Sequence, residues 1–465
     1  MGLNMDFLRF LHAVYEIVWG FPLLMLLMGI GIYLTIVLKG MQFSYLGYAL
    51  KLGLGLDEVK EGKGDITHFQ SLMTALAATV GIGNIAGVAT AITIGGLGAL
   101  FWMWVTALIG MITKFAEALL ALKYRTTDEK GEMCGGPMYF IEKGLGWKWL
   151  SLVFAGSGAI AAFGGGNMLQ ANSVADVMSS VFQLDPLLTG IVMAVLIGLT
   201  LLGGIKSIGK VASLLVPFMG IIYIGGGLLV LIKCYEQIPA AAWGIFSHAF
   251  TGQAAVGGFA GSTLLLSMQV GISRGLMTSE AGLGTASIAA AAAKSDVPGR
   301  QAMVSMTGSF LATVVMCTIT GLILGVTNLL GEIGPDGKML TGATMTVTAF
   351  QSVFGWGGYV VSLGLVLFAF TTLLGWSYYG EKCVEYMWGR KIVPLYRIIF
   401  SLMIIPGAIL ELETVWLISD IFNGLMAFPN LIGLCALSGV VIAETKVFLK
   451  ELEAEKAQKL AASKA

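Results

Sequence analysis

Long apolar segments alternate with polar loops along the whole chain. A helix that crosses a membrane needs about 20 predominantly apolar residues. Segments of about that length recur at eleven places: 17–38, 71–96, 98–122, 150–178, 187–203, 211–232, 258–293, 303–327, 354–388, 393–410 and 414–442. This pattern predicts an all-α polytopic membrane protein with 11 transmembrane helices.

Glycines interrupt two of these segments, at 79–87 and at 268–275. Each glycine costs a helix roughly 1 kcal/mol relative to alanine, so neither segment favours one continuous helix. Within a membrane, backbone that leaves a helix is tolerated only where it lines a cavity or is buried in protein. The interruptions are therefore either a binding site built from backbone or packing kinks sealed by neighbouring helices.

The two interrupted segments stand at matching places, because each opens a group of five predicted helices. Five is an odd number, so the second group enters the membrane upside down relative to the first. Paired interruptions in inverted halves are typical of secondary transporters that bind at the membrane midplane. The predicted parts are an extra N-terminal transmembrane helix in 1–40, inverted repeats in 71–232 and 258–442, and a charged cytoplasmic tail in 443–465.

Composition and charge agree with a membrane location. Hydrophobic residues make up 57% of the chain and charged residues 12%, whereas soluble domains carry about 25% charged residues. Of the 27 lysines and arginines, 22 fall in alternate loops and the tail, which predicts an N-terminus outside and a C-terminus in the cytoplasm. We expect a multi-pass protein of the cell membrane, embedded in the lipid bilayer. The net charge of zero indicates no nucleic-acid partner, and the oligomeric state stays open.

The sequence offers no chemistry typical of an enzyme. Its five cysteines include no CxxC pair, so neither a disulfide framework nor a zinc site is predicted. The histidines His12, His68 and His248 lie far apart in the sequence and form no catalytic cluster. An ion channel also uses interrupted helices, usually through oligomeric symmetry or a ring of like residues, and is the less favoured alternative.

The interrupted segments carry groups that suit a zwitterion and a cation. A half-helix ending near Val80 leaves carbonyl oxygens that replace water around Na⁺. A half-helix starting after Gly83 presents N–H groups and a positive dipole end to a carboxylate. We expect carbonyls of the second interruption to face the substrate ammonium, because its glycines permit close approach. The predicted substrate-binding residues of both segments are Thr79, Gly81, Ile82, Gly83, Met268, Gln269, Gly271, Ile272 and Gly275.

Other polar residues inside the predicted spans are further candidates. Asn167 and Gln170 lie three residues apart on one helix face, where they either bond the substrate or join neighbouring helices. Ionisable residues in spans are costly and so indicate function. We expect a cytoplasmic gate formed by charged residues, with a tryptophan that either closes the inner path or packs. The predicted gate residues are Arg274, Glu280, Trp376 and Asp420.

Four runs of sequence resemble the alanine or glycine:cation symporter family. They are ALAATVGIGNIAGVATAI, GEMCGGPMYFIEKGLG, GNMLQANSVAD and ISRGLMTSEAGLG. That family is similar in fold to the leucine transporter. The resemblance implies a secondary active symporter that couples Na⁺ entry to uptake of small neutral amino acids, alanine and glycine, by alternating access. Another small zwitterion is the alternative substrate.

The resemblance also implies sodium ligands. A first sodium site would use backbone oxygens of the first interruption together with two adjacent threonine hydroxyls. Threonines in helices also bond their own i−4 carbonyl, so that alternative stays open. A second sodium site would use the Thr79 carbonyl and the Asn84 side chain. The ligands of the first site are Ala77, Val80, Phe368, Thr371 and Thr372.

Overall fold

The computed structural model describes residues 2–56, 62–254, 261–334, 337, 339–410 and 413–462. The predicted second repeat begins at 258, so its first three residues lie outside this range, as do Met1 and the tail residues 463–465. Among the described residues, almost all regular structure is helical; the strands are two residues long each.

The chain begins with an apolar helical span, Phe7–Val37. It comprises most of α1 (Gly2–Val18) and all of α2 (Phe21–Val37). Pro22 lies in the first turn of α2, where a missing N–H costs nothing. Two short helices follow, α3 (Met41–Ser44) and α4 (Leu46–Gly53).

The first predicted interruption is confirmed. Helix α5 (His68–Thr79) begins at a capping box in which Thr67 and Gln70 bond each other's backbone, and it ends as Val80 leaves helical geometry. A 3₁₀ turn (Ile82–Asn84) and helix α6 (Ala86–Gly95) follow. The next elements are α7 (Gly98–Lys123), strands β1 (Thr126–Thr127) and β2 (Met133–Cys134), α8 (Pro137–Leu145), α9 (Lys148–Phe163), a π-helical segment (Gly164–Met168), α10 (Leu169–Phe182), α11 (Pro186–Leu202), α12 (Gly204–Lys233), a 3₁₀ turn (Tyr235–Gln237) and α13 (Ile238–Thr251).

The second interruption lies later than predicted. Residues 268–275 are continuous helix within α14 (Leu264–Ser279), and the chain breaks at 280–284 before α15 (Thr285–Ala291). Three residues of the break have positive φ: Glu280 (52°), Gly282 (90°) and Gly284 (80°). Glycine favours that conformation, so the later Gly-Leu-Gly determines the break.

Gly271 and Gly275 serve helix packing instead. A Cβ on Gly271 would lie 2.5 Å from the Ala99 carbonyl oxygen, and one on Gly275 would lie 2.9 Å from the Met103 Cα. Both contacts are to α7, so these glycines let two helices approach closely.

The remaining helices complete the second half of the chain. They are α16 (Pro298–Ser309), a π-helical segment (Phe310–Cys317), α17 (Thr318–Thr327), α18 (Gly342–Val353), α19 (Gly357–Trp388), a 3₁₀ turn (Arg390–Ile392), α20 (Val393–Ile409), α21 (Glu413–Ala436) and α22 (Ser438–Ala462). Within the described ranges, eight helices or helix pairs are long and apolar enough to cross a membrane. The predicted count of 11 stays a prediction, because the two interrupted helices and the 17-residue α11 fall short individually.

The tail helix defines two sides of the molecule. On what we call the tail side, α22 forms ion pairs through Glu444 with Lys123 at the end of α7 and through Glu455 with Arg300 near the start of α16. Its Phe448 and Leu452 are buried, so the predicted charged tail is helical and docked. The opposite side carries the start of α7, where Gly98 lies against His248 of α13.

Candidate functional site

The two interruptions meet around a cavity of about 450 Å³, a volume typical of small-molecule sites. Helices α10, α19 and α21, a π-helical glycine and the start of α18 supply the other walls. The lining residues are Ala78, Thr79, Gly81, Ile82, Gly83, Ala86, Gly87, Thr90, Gly165, Leu169, Gln170, Ser173, Arg274, Met277, Thr278, Glu280, Leu283, Gly342, Ala343, Thr372, Trp376, Ser419, Asp420 and Asn423.

The first interruption is held open by Asn84. Its Oδ1 accepts the Gly81 N–H at 3.1 Å, and its Nδ2 donates to the Ala312 carbonyl of the π-helical segment 310–317 at 2.8 Å. The buried amide therefore fixes the turn and connects it to the second half of the chain. Both the oxygen and the nitrogen of the Asn84 amide therefore have protein partners. The second sodium site, at Thr79 and Asn84, stays a prediction.

Beyond Asn84, the turn presents backbone to the cavity. Ile82 and Gly83 line it, immediately before the N-terminus of the ten-residue α6. The first N–H groups of a helix lack helical acceptors and favour an anion. A Cβ on Gly83 would meet only Thr278 Cγ2, at 3.7 Å, and one on Gly87 would meet no atom within 4 Å, so this wall has free space.

Glu280 links the two interruptions. Its Oε2 lies 3.1 Å from both the Thr79 hydroxyl and the Thr285 hydroxyl, which belong to the first and second interrupted helices. The residue is 2% exposed and still lines the cavity. The predicted partner Arg274 forms no ion pair with it within 4.0 Å in the described part of the chain. Glu280 thus belongs to the meeting point of the half-helices.

A second buried carboxylate supports the later break from α7. Glu117 Oε1 accepts the Gly282 N–H at 2.9 Å and the Asn430 Nδ2 at 2.7 Å. Lys114, one turn earlier, is 2% exposed, and among described residues its Nζ has no hydrogen-bond partner. Three ionisable groups are therefore buried beside the two breaks, although Glu117 and Lys114 do not line the cavity.

Helix α19 lies directly against the first interruption. A Cβ on Gly375 would lie 2.5 Å from the Ala78 Cβ, and one on Gly81 would lie 2.6 Å from the Thr372 Oγ1. This close approach places the end of α5 beside the part of α19 that carries Thr372.

Both threonines of that turn bond their own helix. The Thr371 and Thr372 hydroxyls donate to the Phe368 carbonyl at 3.0 and 2.8 Å. Both hydroxyl hydrogens are therefore used in bonds within α19, as the alternative interpretation expected. Each hydroxyl oxygen still has lone pairs that could bind a cation. The first sodium site stays a prediction.

The predicted amide pair is separated. Gln170 lines the cavity and donates to the Gly165 carbonyl at 2.9 Å, whereas Asn167 donates to the Phe400 carbonyl of α20 at 2.6 Å. The expectation of one shared face assumed α-helical spacing. The π-helical segment 164–168 widens the turn, so Asn167 faces a neighbouring helix.

Arg274 and Asp420 lie on the side opposite the tail helix. Arg274 belongs to α14 before its break, one residue from Gly275, which packs on the first half of α7. Asp420 lies near the start of α21, and its carbonyl accepts the Trp19 Nε1 at 2.8 Å. The sequence predicted that the gate residues and the tail helix α22 lie on the same, cytoplasmic side. The structure places Arg274 and Asp420 on the side opposite α22, so the predicted position of this gate relative to α22 is wrong.

Other predicted residues divide clearly. Thr79, Gly81, Ile82, Gly83, Gln170, Thr372 and Trp376 line the cavity. Residues of α14 before Arg274 do not line it: Met268, Gln269, Gly271 and Ile272, and with them Gly275. The sequence prediction did not include Ser419, one residue before Asp420, Asn423, three residues after it, or Thr278, two residues before Glu280, all of which line the cavity. Asn423 lies three residues from Asp420 and four from Ser419, and this spacing, visible in the sequence, places Asn423 on the same helix face as each of them.

One cluster outside the cavity resembles a metal site. Ligand atoms of Asp128, Cys134 and Glu385 lie within 4.8 Å of one another. Lys382 Nζ lies 2.9 Å from Glu385 Oε2 and 3.3 Å from Cys134 Sγ, and Arg390 Nη1 lies 3.3 Å from Asp128 Oδ2. Side-chain cations already neutralise these carboxylates, so the cluster is an ion-pair network.

Comparison with known proteins gives matches over nearly the whole chain. Residues 5–462 match the family model described as the sodium:alanine symporter family. The sodium/alanine symporter AgcS of Methanococcus maripaludis is 54% identical over 448 residues, which cover 96% of this chain and 98% of AgcS. The probable sodium/glutamine symporter GlnT of Bacillus subtilis is 33% identical, with 95% and 90% covered. The crystal structure of MhsT in complex with L-phenylalanine has the same fold at 15% identity, with a TM-score of 0.58 and 84% and 93% covered.

Proposed function

Because the chain belongs to the sodium:alanine symporter family, we propose that it couples Na⁺ entry to uptake of alanine and glycine by alternating access. Cation-coupled amino-acid transport across a membrane follows from the family. The choice of alanine and glycine is supported by the resemblance to the alanine or glycine:cation symporters and by the 54% identity to the sodium/alanine symporter AgcS. In this proposal the Ile82 and Gly83 N–H groups bind the substrate carboxylate.

The sodium site of this proposal lies where α5 meets α19. Oxygen ligands suit a hard cation, and the last carbonyls of α5 lack helical donors because the helix ends at Thr79. The close packing of Gly81 on Thr372 supports a ligand set of Ala77, Val80, Phe368, Thr371 and Thr372. Sodium in this position would hold α5 against α19 and so couple ion binding to the shape of the substrate site.

The proposal includes an orientation and a gate. With the tail in the cytoplasm and the N-terminus outside, the cavity wall formed by Arg274 and Asp420 faces outward. These oppositely charged residues would close the outer path, with Trp376 on the inner wall of the cavity. The division into inverted repeats at 71–232 and 258–442 fits the two interrupted helices, and the later break leaves that division unchanged.

The decisive experiment uses purified protein in lipid vesicles. We expect saturable accumulation of labelled alanine and glycine that depends on an inward Na⁺ gradient and disappears when the gradient is dissipated. Glutamine and phenylalanine serve as competitors of larger size. Passive, non-saturable ion current without amino-acid accumulation would instead favour a channel.

A further inference from the structure

We infer that the Glu280 carboxylate binds the α-ammonium group of the substrate, an inference that rests on the proposed function. The carbonyls of 268–275 are used within continuous helix, so the ammonium needs another partner in the cavity wall. Glu280 is an acidic residue at the meeting point of both interruptions. It lines the cavity while remaining 2% exposed.

The position of Glu280 suits this role. The Thr285 hydroxyl donates to its Oε2 at 3.1 Å and orients the side chain. The Thr79 hydroxyl lies at the same distance from Oε2 and shares its one hydrogen with the Ala75 carbonyl, 2.7 Å away. Thr278, two residues earlier, lies beside Gly83, where the substrate carboxylate would bind. One wall of the cavity thus carries N–H donors for the negative end of an amino acid and a carboxylate for its positive end.

Charge balance favours a cation near Glu280. The buried groups beside the breaks are two carboxylates, Glu117 and Glu280, and one ammonium, Lys114. The Lys114 Nζ has no hydrogen-bond partner among the described residues and forms no ion pair with Glu280 within 4.0 Å. Burying a carboxylate without a cationic partner is costly, and the substrate ammonium would supply that partner.

The test compares alanine with L-lactate, which has a hydroxyl in place of the ammonium. Binding of each to purified protein is measured at saturating Na⁺ by thermal shift and tryptophan fluorescence. For Glu280→Gln we expect alanine affinity to fall about 30-fold or more, as for other buried charge pairs that lose one partner. Lactate affinity should stay the same or rise, so the preference for alanine over lactate should nearly vanish.

Glu117→Gln is the matched control. It removes the same charge from the same buried group, and its amide oxygen still accepts from Gly282 and Asn430. Because Glu117 does not line the cavity, we expect its preference for alanine over lactate to remain within a few-fold of the wild type. Equal loss in both variants would indicate a general charge effect and would overturn the inference.

Two further results keep the test decisive. If Glu280→Gln does not fold, Thr285→Val removes one hydroxyl that fixes Oε2 and should weaken alanine several-fold while sparing lactate; equal weakening overturns the inference. A Glu280→Gln protein that binds Na⁺ more weakly but still prefers alanine to lactate identifies a sodium ligand instead. A wild-type protein that binds neither alanine nor glycine rejects the proposed function itself.

Discussion

At the scale of single residues, glycines near the cavity have different surroundings. A Cβ on Gly83 or Gly87 would enter free space, whereas one on Gly271 would overlap the Ala99 backbone at 2.5 Å. Of these three glycines, only Gly83 and Gly87 line the cavity and border its free space. Glycines of the interrupted helices thus have two uses: some line the cavity, and others let neighbouring helices approach closely.

Gly83→Ala should weaken alanine more than glycine. The added methyl lies beside the N–H groups proposed to bind the carboxylate, and glycine has no side chain to meet it. One methylene of misfit is worth about 1–3 kcal/mol, or roughly 5- to 150-fold in affinity. The measurement is competition of each amino acid against labelled substrate in vesicles. An unchanged ratio of the two affinities would reject a size limit at this position, and Gly87→Ala tests the same wall farther along α6.

Gly271→Ala should instead destabilise the fold. Overpacking a close helix contact typically costs about 1–3 kcal/mol. We expect a lower Tm of the detergent-solubilised protein with an unchanged ratio of alanine to glycine affinity. A selective loss of alanine with unchanged Tm would return Gly271 to the substrate site.

The Thr371→Val/Thr372→Val double variant should raise the Na⁺ concentration needed for half-maximal uptake several-fold. Alanine affinity at saturating Na⁺ should change much less, because the two hydroxyls are proposed as ligands of the ion and not of the substrate. Thr90→Val is the control: its hydroxyl bonds its own i−4 carbonyl, of Ala86, and it lines the cavity on α6. Equal Na⁺ dependence in the wild type and the double variant would reject the sodium ligands.

At the scale of helices and loops, the tail-side halves of the two interrupted helices are joined. The segment before α5 pairs with the segment after α15: the Asp65 N–H donates to the Ala292 carbonyl and the Lys294 N–H to the Ile66 carbonyl, each at 2.8 Å. Arg125, just beyond α7, donates to four carbonyls of these segments at 2.7–3.1 Å. One guanidinium therefore connects both half-helices to α7.

Arg125→Gln should loosen this junction. A cysteine at Ser295, whose carbonyl Arg125 binds, should then react faster with a maleimide added on the tail side, with Cys234 and Cys435 replaced by serine. Arg125→Lys keeps the charge without the planar fork of donors, so its labelling rate should lie between those of the wild type and Arg125→Gln. Wild-type labelling rates in both variants would show that the backbone pairing alone closes the junction.

The helices also show what the sequence could predict. The first interruption follows from three closely spaced glycines, and the apolar spans follow from hydrophobicity. The second interruption was predicted too early in the sequence. Gly271 and Gly275 let helices pack closely, whereas Gly282 and Gly284 adopt positive φ and form the break. Composition does not separate these two uses of glycine. The direction of Asn167 depends on a π-helical turn, which an α-helical spacing rule does not anticipate.

At the scale of the whole molecule, the two sides of the cavity are built differently. On the tail side, backbone pairing and Arg125 join the half-helices. On the opposite side, the wall carries Arg274 and Asp420, which form no ion pair within 4.0 Å among the described residues. Arg274 Nη1 instead lies 3.4 Å from the Met277 Sδ, so its charge lacks a carboxylate partner at this distance. An alternating-access cycle requires each closure to open while the other holds.

Arg274 and Asp420 should therefore pair when the side opposite the tail closes. Neutralising either residue, as Arg274→Gln or Asp420→Asn, should slow Na⁺-driven alanine uptake and raise maleimide labelling of a cysteine placed at Ala343, on the cavity wall at the start of α18. The charge exchange Arg274→Asp/Asp420→Arg should restore part of both, because it recreates an attraction of the same sign. Lys233→Gln, at the exposed end of α12, removes a charge from the same side and should change neither. If the exchange restores nothing while the protein keeps its Tm, the two residues act separately, and closure on this side depends on packing around α18 instead.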